Sequence, residues 1–398
     1  MGSFTMTFKI DDGVLMGYPV GRIDSTNAKM FENDIALMIN KYPSAEIAFD
    51  CTNLEYISSA GLRILLSLSK KTKAKLRLIN VTQGIYDILN ITGFSSIFDV
   101  SLPLRDISSD QGQFLGMNNG ISLYRMDDDT MLKVYPTWQR LDDVKKELTK
   151  AKAALLSGVP VLISYDIVTY NGRYGIAYET PNVKTVSSLI NFHQWDTEKY
   201  AAEMGKTLRM IHSCTPEHGT LPRTSEIFTK NALKMDKYFA SKEIHQLILL
   251  INSIPSAESF NYGNYQPNNV FVMNDELILV DMSGISCGNP IFDLGMTYMF
   301  CVLEANWLAK NVMDINVAQA KKLWDIMIRN YFATNNEDVI QSYEKLIRVS
   351  AMLCSALLPA MNIINIAKND AEKLAAKARR DLLSNDEALK NLLKEAKF

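Results

Sequence analysis

Cysteine and histidine are scarce in this chain: five of the first and four of the second among 398 residues. Cys51, Cys214, Cys287, Cys301 and Cys354 are odd in number and widely spaced, and no C-x-x-C occurs. A disulfide framework and a cysteine zinc site are thereby unsupported, and reduced thiols in a cytoplasmic protein are the simplest reading. No apolar run approaches the roughly 20 residues a membrane span needs, so no span is expected. The opening M-G-S-F-T-M-T-F-K-I has no cationic stretch followed by a long apolar one, so no signal peptide is expected. Neither charge is in excess. The 42 Lys and Arg against 44 Asp and Glu leave a net charge of -2, which argues against a bulk nucleic-acid or anionic-membrane binder. There is no internal repeat and no low-complexity tract. What is present is 47% apolar and 22% charged, the composition of a packed protein with room for two or three domains.

The first hundred residues alternate strand and helix signals. F-T-M-T-F-K-I and G-V-L-M-G-Y-P-V, joined at Asp11-Asp12-Gly13, read as a hairpin. Ser25-Thr26-Asn27 can cap a helix to about Lys41, with Phe31, Ile35, Met38 and Ile39 at helical spacing. A-E-I-A-F-D and K-L-R-L-I-N-V read as strands, and Gly61–Lys71 and the stretch from Gly84 as helices. This alternation implies an α/β domain. The polar S-L-P-L-R-D-I-S-S-D-Q-G, residues 101–112, reads as a linker. Strands follow around G-I-S-L-Y-R-M and T-M-L-K-V-Y, then a helix over Asp142–Leu156, then strands at P-V-L-I-S-Y-D-I-V and Y-G-I-A-Y-E-T. Beyond Thr185 the chain reads mainly as helix, and the Met-rich and aromatic helices after Asp293 read as core.

Two places carry chemistry. In Y-I-S-S-A-G-L the serines at 58 and 59 precede an apolar helix. A helix N-terminus has free N–H groups and partial positive charge, so a serine there is either a plain cap or a phosphate acceptor. The stretch, with G-R-I-D-S-T-N-A upstream and L-N-I-T-G-F downstream, resembles the STAS domain of bacterial anti-sigma-factor antagonists over residues 1–100. Aligned on Gly61 and Leu62, Ser59 takes the position that family phosphorylates, and Ser58 stands where it has Asp. The resemblance implies Ser59 as a phosphorylation site and an anti-sigma factor or related regulatory protein as partner. It also places Asp24 and Ser25 near the same edge.

The second place is spread along the chain. Lys133 lies in an apolar strand, where a lone ammonium needs an anion. Glu147 follows on the next helix, Asn269 precedes a strand, and Asp281 ends one. Lysine on phosphate, a glutamate holding it, and an Asn and Asp on magnesium form the layout of protein-kinase-like phosphotransferases. From Gly112 to at least Phe300 the chain resembles the aminoglycoside/choline-kinase type. Y-R-M-D-D-D-T-M-L-K-V-Y matches the lysine strand, L-R-M-I-H-S the helix end with His212, and D-M-S-G-I-S-C-G-N-P-I-F-D-L the metal aspartate and the bracing Asp293.

That resemblance implies a two-lobed, protein-kinase-like α+β domain over residues 113–398, with a small lobe at about 113–181 and a helical large lobe at about 182–398. It implies ATP and Mg2+ as ligands, with Lys133, Glu147, Gly116 and Glu179 on the nucleotide side and Asn269 and Asp281 on the metal. Thr180 and Pro181 follow Glu179 where the family's chain meets adenine. The family pattern His-Gly-Asp-x-x-x-x-Asn is here Tyr262-Gly263-Asn264 with Asn269, and Gln266 stands at a position often basic or His. An amide cannot act as the general base near neutral pH. The glycine loop L-G-M-N-N-G-I keeps Gly116 and Gly120 but lacks a glycine triplet, with Asn118 near its middle. Three readings stay open: a pseudokinase that binds nucleotide, a slow phosphotransferase acting on a small-molecule hydroxyl, and a scaffold without nucleotide.

Overall fold

A computed structural model describes residues 4–11, 13–72, 75–118, 120–179, 184–192, 196–273 and 275–396. Asp12, Thr180 and Pro181 lie outside the described residues. The chain divides into two compact units, Met1–Ile107 and Ser108–Phe398.

The first unit begins with β1 (Thr5–Asp11) and β2 (Val14–Ile23), an antiparallel pair registered from Thr5 opposite Val20 to Asp11 opposite Val14. Then come α1 (Ala28–Lys41), β3 (Glu46–Asp50), β4 (Leu54–Ile57), α2 (Ser59–Ser69), β5 (Arg77–Ile79), α3 (Gln83–Ile91), β6 (Asp99–Val100) and the short β7 (Arg105–Asp106). The sheet order is β1-β2-β3-β5-β6, with β4 pairing β2. The pairs β2–β3, β3–β5 and β5–β6 are parallel, as crossover helices require. Phe31 and Ile35 of α1 and Leu62, Leu65 and Leu68 of α2 bury their apolar stripes with Phe49 and Leu78 of the strands. Asn27 does stand at the start of α1, but its side chain does not cap the helix. Its amide is used in the preceding turn, donating to the Arg22 carbonyl at 2.8 Å and accepting from the Asp24 N–H at 3.0 Å.

The second unit opens on an antiparallel sheet: β8 (Gln113–Asn118), β9 (Ile121–Arg125), β10 (Thr130–Val134), then α4 (Leu141–Leu156), β11 (Ser164–Tyr170) and β12 (Arg173–Glu179). These strands run in the order β11-β12-β10-β9-β8, so β10 is paired on both sides. Residues 160–162, expected to belong to the β11 strand, take another partner, whereas the Ile163 carbonyl still accepts from the Glu179 N–H of β12 at 3.0 Å. The Leu279 N–H donates to the Pro160 carbonyl at 2.7 Å, and the Leu162 N–H to the Leu279 carbonyl at 3.2 Å.

There follow β13 (Lys184–Thr185), α5 (Val186–Phe192), α6 (Asp196–Ser213), α7 (Thr224–Leu233), α8 (Ser241–Ser253), β14 (Ser259–Asn261), β15 (Val270–Met273), β16 (Glu276–Leu279) and β17 (Ser286–Gly288). The chain ends in helices α9 (Ile291–Tyr298), α10 (Ala305–Asn311), α11 (Val317–Phe332), α12 (Glu337–Leu357), α13 (Lys368–Asp381) and α14 (Asp386–Leu393). Met296, Met299, Phe300, Trp324 and Met327 lie in one continuous apolar core, as the composition of that stretch implies. Close approach of α6 to α11 depends on Gly205, where an added Cβ would sit 2.2 Å from the Met327 carbonyl oxygen. Among the described residues, no helix is long and apolar enough to cross a membrane.

Candidate functional site

Strand alternation decides the fate of Lys133. It sits on twice-paired β10 between Leu132 and Val134 and is 9% exposed, so its ammonium cannot reach bulk water. A charge so placed needs partners. Helix α4 packs on β11 and β12 and brings Glu147 Oε1 to 2.6 Å from Lys133 Nζ. Asp281 Oδ1, from 148 positions downstream, lies at 3.3 Å. Burial pulls the lysine pKa down, but Asp281 and Glu147 outweigh it and hold the ammonium well above its ordinary value.

Asp281 keeps 39% of its side chain exposed and takes a left-handed backbone conformation, φ +64°. Its Oδ1 also accepts from the Ser283 N–H at 3.3 Å. Burial pushes its carboxyl up, while the charge of Lys133 and the hydrogen bonds from Ser283 bring it below the usual carboxylate value.

The loop from Tyr262 to Asn269 is fixed from below by Asp293, 1% exposed. The N–H of Tyr262 donates to Asp293 Oδ2 at 2.6 Å and that of Gly263 to Oδ1 at 2.7 Å. His212 Nε2 lies 3.2 Å from Oδ2, and its Nδ1 lies 2.8 Å from the Tyr331 hydroxyl. Gly263 has φ +83°, and a Cβ there would stand 2.4 Å from the Gly284 carbonyl oxygen. Only glycine suits both the conformation and the approach.

The departures from the expected loop pattern have structural partners. Tyr262 is fully buried, and its hydroxyl donates to the Val280 carbonyl, next to Asp281. Gln266 Oε1 accepts from the Asn268 N–H at 3.3 Å. Asn269 Nδ2 donates to the Asn264 carbonyl at 3.0 Å, and the Asn269 carbonyl accepts from the Val280 N–H at 3.2 Å. Asn264 Oδ1 is buried with no hydrogen-bond partner among the described residues.

Lys133, Glu147 and Asp281 are thus in direct contact, and Asn264 and Asn269 are joined to them through Val280. Gly116 lies in the same row across the sheet, opposite Leu123, which in turn faces Lys133. Glu179 ends β12 opposite Thr130, with its carboxylate accepting from the Ile163 N–H at 2.7 Å. Sequence reasoning passed over Lys150, whose ammonium reaches the Ser283 carbonyl at 2.9 Å. Its spacing of three from Glu147 on one helix was the available signal. Among the described residues no group of three His, Cys, Asp or Glu could hold a metal. Magnesium commonly binds one or two carboxylates and completes its shell with phosphates and water. Asp281 and the amide oxygen of Asn269 fit that limited role.

In the first unit, Ser58 occupies the N-cap of α2, with its hydroxyl accepting from the Gly61 N–H at 3.4 Å and its own N–H bound to the Ile23 carbonyl at 2.7 Å. Ser59 is the first helical residue and is exposed. A Cβ at Gly61 would lie 2.7 Å from side-chain atoms of Ile23 and Ile57, so glycine lets the helix start sit on β2 and β4. The Asp24 turn follows Ile23, on the same edge as the serines. There Asp24 Oδ1 accepts from the N–H and hydroxyl of Thr26 at 2.9 and 2.6 Å.

The STAS domain family matches residues 5–107. BtrV of Bordetella bronchiseptica, classed as an anti-sigma factor antagonist, is 33% identical over 93 residues, which is 23% of this chain and 79% of that protein. The chain belongs to the STAS family. Its similarity to solved structures extends beyond the STAS unit. A choline/ethanolamine kinase family protein from Mesorhizobium loti matches 72% of this chain and 94% of its own, at 12% identity and TM-score 0.48. Amicoumacin kinase hAmiN, solved with AMP-PNP, Ca2+ and Ami, matches 78% of this chain and 95% of its own, at 13% identity and TM-score 0.48.

The geometry separates the two STAS serines by experiment. Ser58→Ala should cost about 1 kcal/mol through loss of the cap. Ser59→Ala should stay within about 0.5 kcal/mol, as for an exposed residue. Hydrogen exchange of the first-turn amides of α2 reads this directly: faster in the Ser58 variant, unchanged in the Ser59 variant. The opposite ranking would assign the cap to Ser59.

Proposed function

We propose that this chain is a bacterial regulatory protein in which a STAS unit switches protein partners and a kinase-like unit binds nucleotide without transferring its phosphoryl group. Asn264 carries the second half of this reading. It stands where the reaction class places the base that accepts the substrate proton, and an amide does not accept it. The retained contacts of Lys133 with Glu147 and Asp281 support nucleotide binding, because this lysine–glutamate–aspartate arrangement is the phosphate-facing part of such a site. Relatedness to BtrV supports partner switching, with an anti-sigma factor or similar regulator as partner and Ser59 as the exposed acceptor of phosphate. An added phosphate would bring close to two negative charges to the start of α2, beside the Asp24 turn, and so remodel that edge.

Thermal unfolding followed by tryptophan emission tests the nucleotide half. ATP at about 100 times its dissociation constant should stabilise the second unit by about 2.7 kcal/mol. ATP consumption should be the same in the wild type and in Asn264→Ala. Wild-type turnover clearly above that of the variant would make the chain a slow phosphotransferase instead, a reading that the intact Lys133 cluster also favours. No thermal shift at saturation would leave the unit as a scaffold.

A further inference from the structure

Helix α4 brings two charged side chains to the Lys133–Asp281 site. Glu147 binds Lys133, and Lys150, three residues on and on the same face, reaches the turn after Asp281. That turn, Met282–Gly284, packs against α4, and the Ser283 carbonyl accepts from Lys150 Nζ at 2.9 Å. An ammonium has three donors. The other two of Lys150 have no acceptor among the described residues, and the side chain is only partly buried. Partial burial lowers its pKa, opposed by the carboxylates of Glu147 and Asp281 that face it.

The local charges cancel. Lys133 and Lys150 balance Glu147 and Asp281, while the loop positions 264 and 269 contribute neutral amides. An acid at 264, the base position, would have added a negative charge to this balance; the amide does not. Asp281 is the carboxylate placed for a metal, and its Oδ1 already accepts from Lys133 and Ser283. A phosphate chain bound beside Asp281 would therefore meet the Lys150 ammonium, which keeps free donors, next to the buried Lys133.

We propose that Lys150 is a second phosphate-binding cation that takes over the charge role of a divalent metal, so that a nucleoside di- or triphosphate binds this cleft without requiring magnesium. This rests on the nucleotide-binding reading above. It differs from it in what it demands: binding must survive removal of the metal, and Lys150 must be the reason.

The test is equilibrium titration of the full-length chain with a fluorescent ADP analogue, in excess EDTA and in millimolar magnesium. Wild-type dissociation constants in the two media should agree within about threefold, and Lys150→Met should weaken binding about tenfold in EDTA but less than about threefold in magnesium. Lys150→Arg should keep most of the EDTA affinity, and unchanged melting of both variants shows that the fold is intact. Wild-type binding seen only with magnesium overturns the inference and leaves the nucleotide reading standing. Equal weakening of Lys150→Met in both media also overturns it, because the lysine is then merely structural. No binding in either medium overturns both.

Discussion

Replacing Lys133 with methionine should destabilise the second unit by about 3 kcal/mol or more, the cost of leaving one member of a buried ion pair without its partner. Lys133 and Glu147 each expose only 11% of the side chain, so water cannot take over for the missing ammonium. Asp281 behaves differently because it remains partly hydrated and keeps the Ser283 N–H. The expected damage is therefore concentrated on Glu147, and a second substitution should relieve it. Lys133→Met with Glu147→Leu should recover more than half of the loss, since a buried pair replaced by apolar groups of similar volume is often neutral. Nucleotide binding should not return in the double variant. All four tryptophans, Trp138, Trp195, Trp307 and Trp324, lie beyond residue 107, so their emission in a urea titration follows this unit alone. A loss under about 1 kcal/mol in the single variant would mean that Glu147 finds another partner, and that the pair is not the anchor of the cleft.

That cluster also marks how far the sequence could be read. Helical spacing gave α1 its buried face at Phe31 and Ile35, and strand–helix alternation gave the first unit its class. The order lysine, glutamate, asparagine, aspartate pointed to Lys133, Glu147, Asn269 and Asp281 through a resemblance. Nothing in local periodicity says that residues 148 positions apart touch. The structure supplies what such patterns omit, namely long-range partners of single polar atoms. Tyr262 reads in the sequence as a lost histidine, yet its buried hydroxyl ties the loop to the Val280 carbonyl. Asn27 has the chemistry of a cap but spends its amide on the Arg22 carbonyl and the Asp24 N–H. Residues 160–162 have the apolar content of a sheet strand but run beside Leu279. Each of these choices is between two locally acceptable partners, and tertiary packing selects one.

Asp293 is the other place where such long-range contacts carry a large consequence. Asp293→Ala would leave the N–H groups of Tyr262 and Gly263 and His212 Nε2 without their acceptor, in a site where the carboxylate is 1% exposed. Each buried polar group left unpaired costs about 1–3 kcal/mol, so a loss of about 4 kcal/mol is expected by tryptophan-monitored urea unfolding. Asp293→Asn conserves the volume but offers one acceptor oxygen in place of two, and should lose roughly half as much. Tyr331→Phe removes only the outer contact of His212 and should cost about 1 kcal/mol. This ranking follows from where the bonds lead. The two backbone donors set the turn at Gly263, which rests against the Gly284 carbonyl, and Tyr262 reaches across to Val280 beside Asp281. Loosening Asp293 therefore loosens the residue that meets Lys133, and nucleotide affinity should fall in the same order as stability. A variant that lost stability but kept full affinity would show that Asp281 is positioned by Lys133 and Ser283 alone.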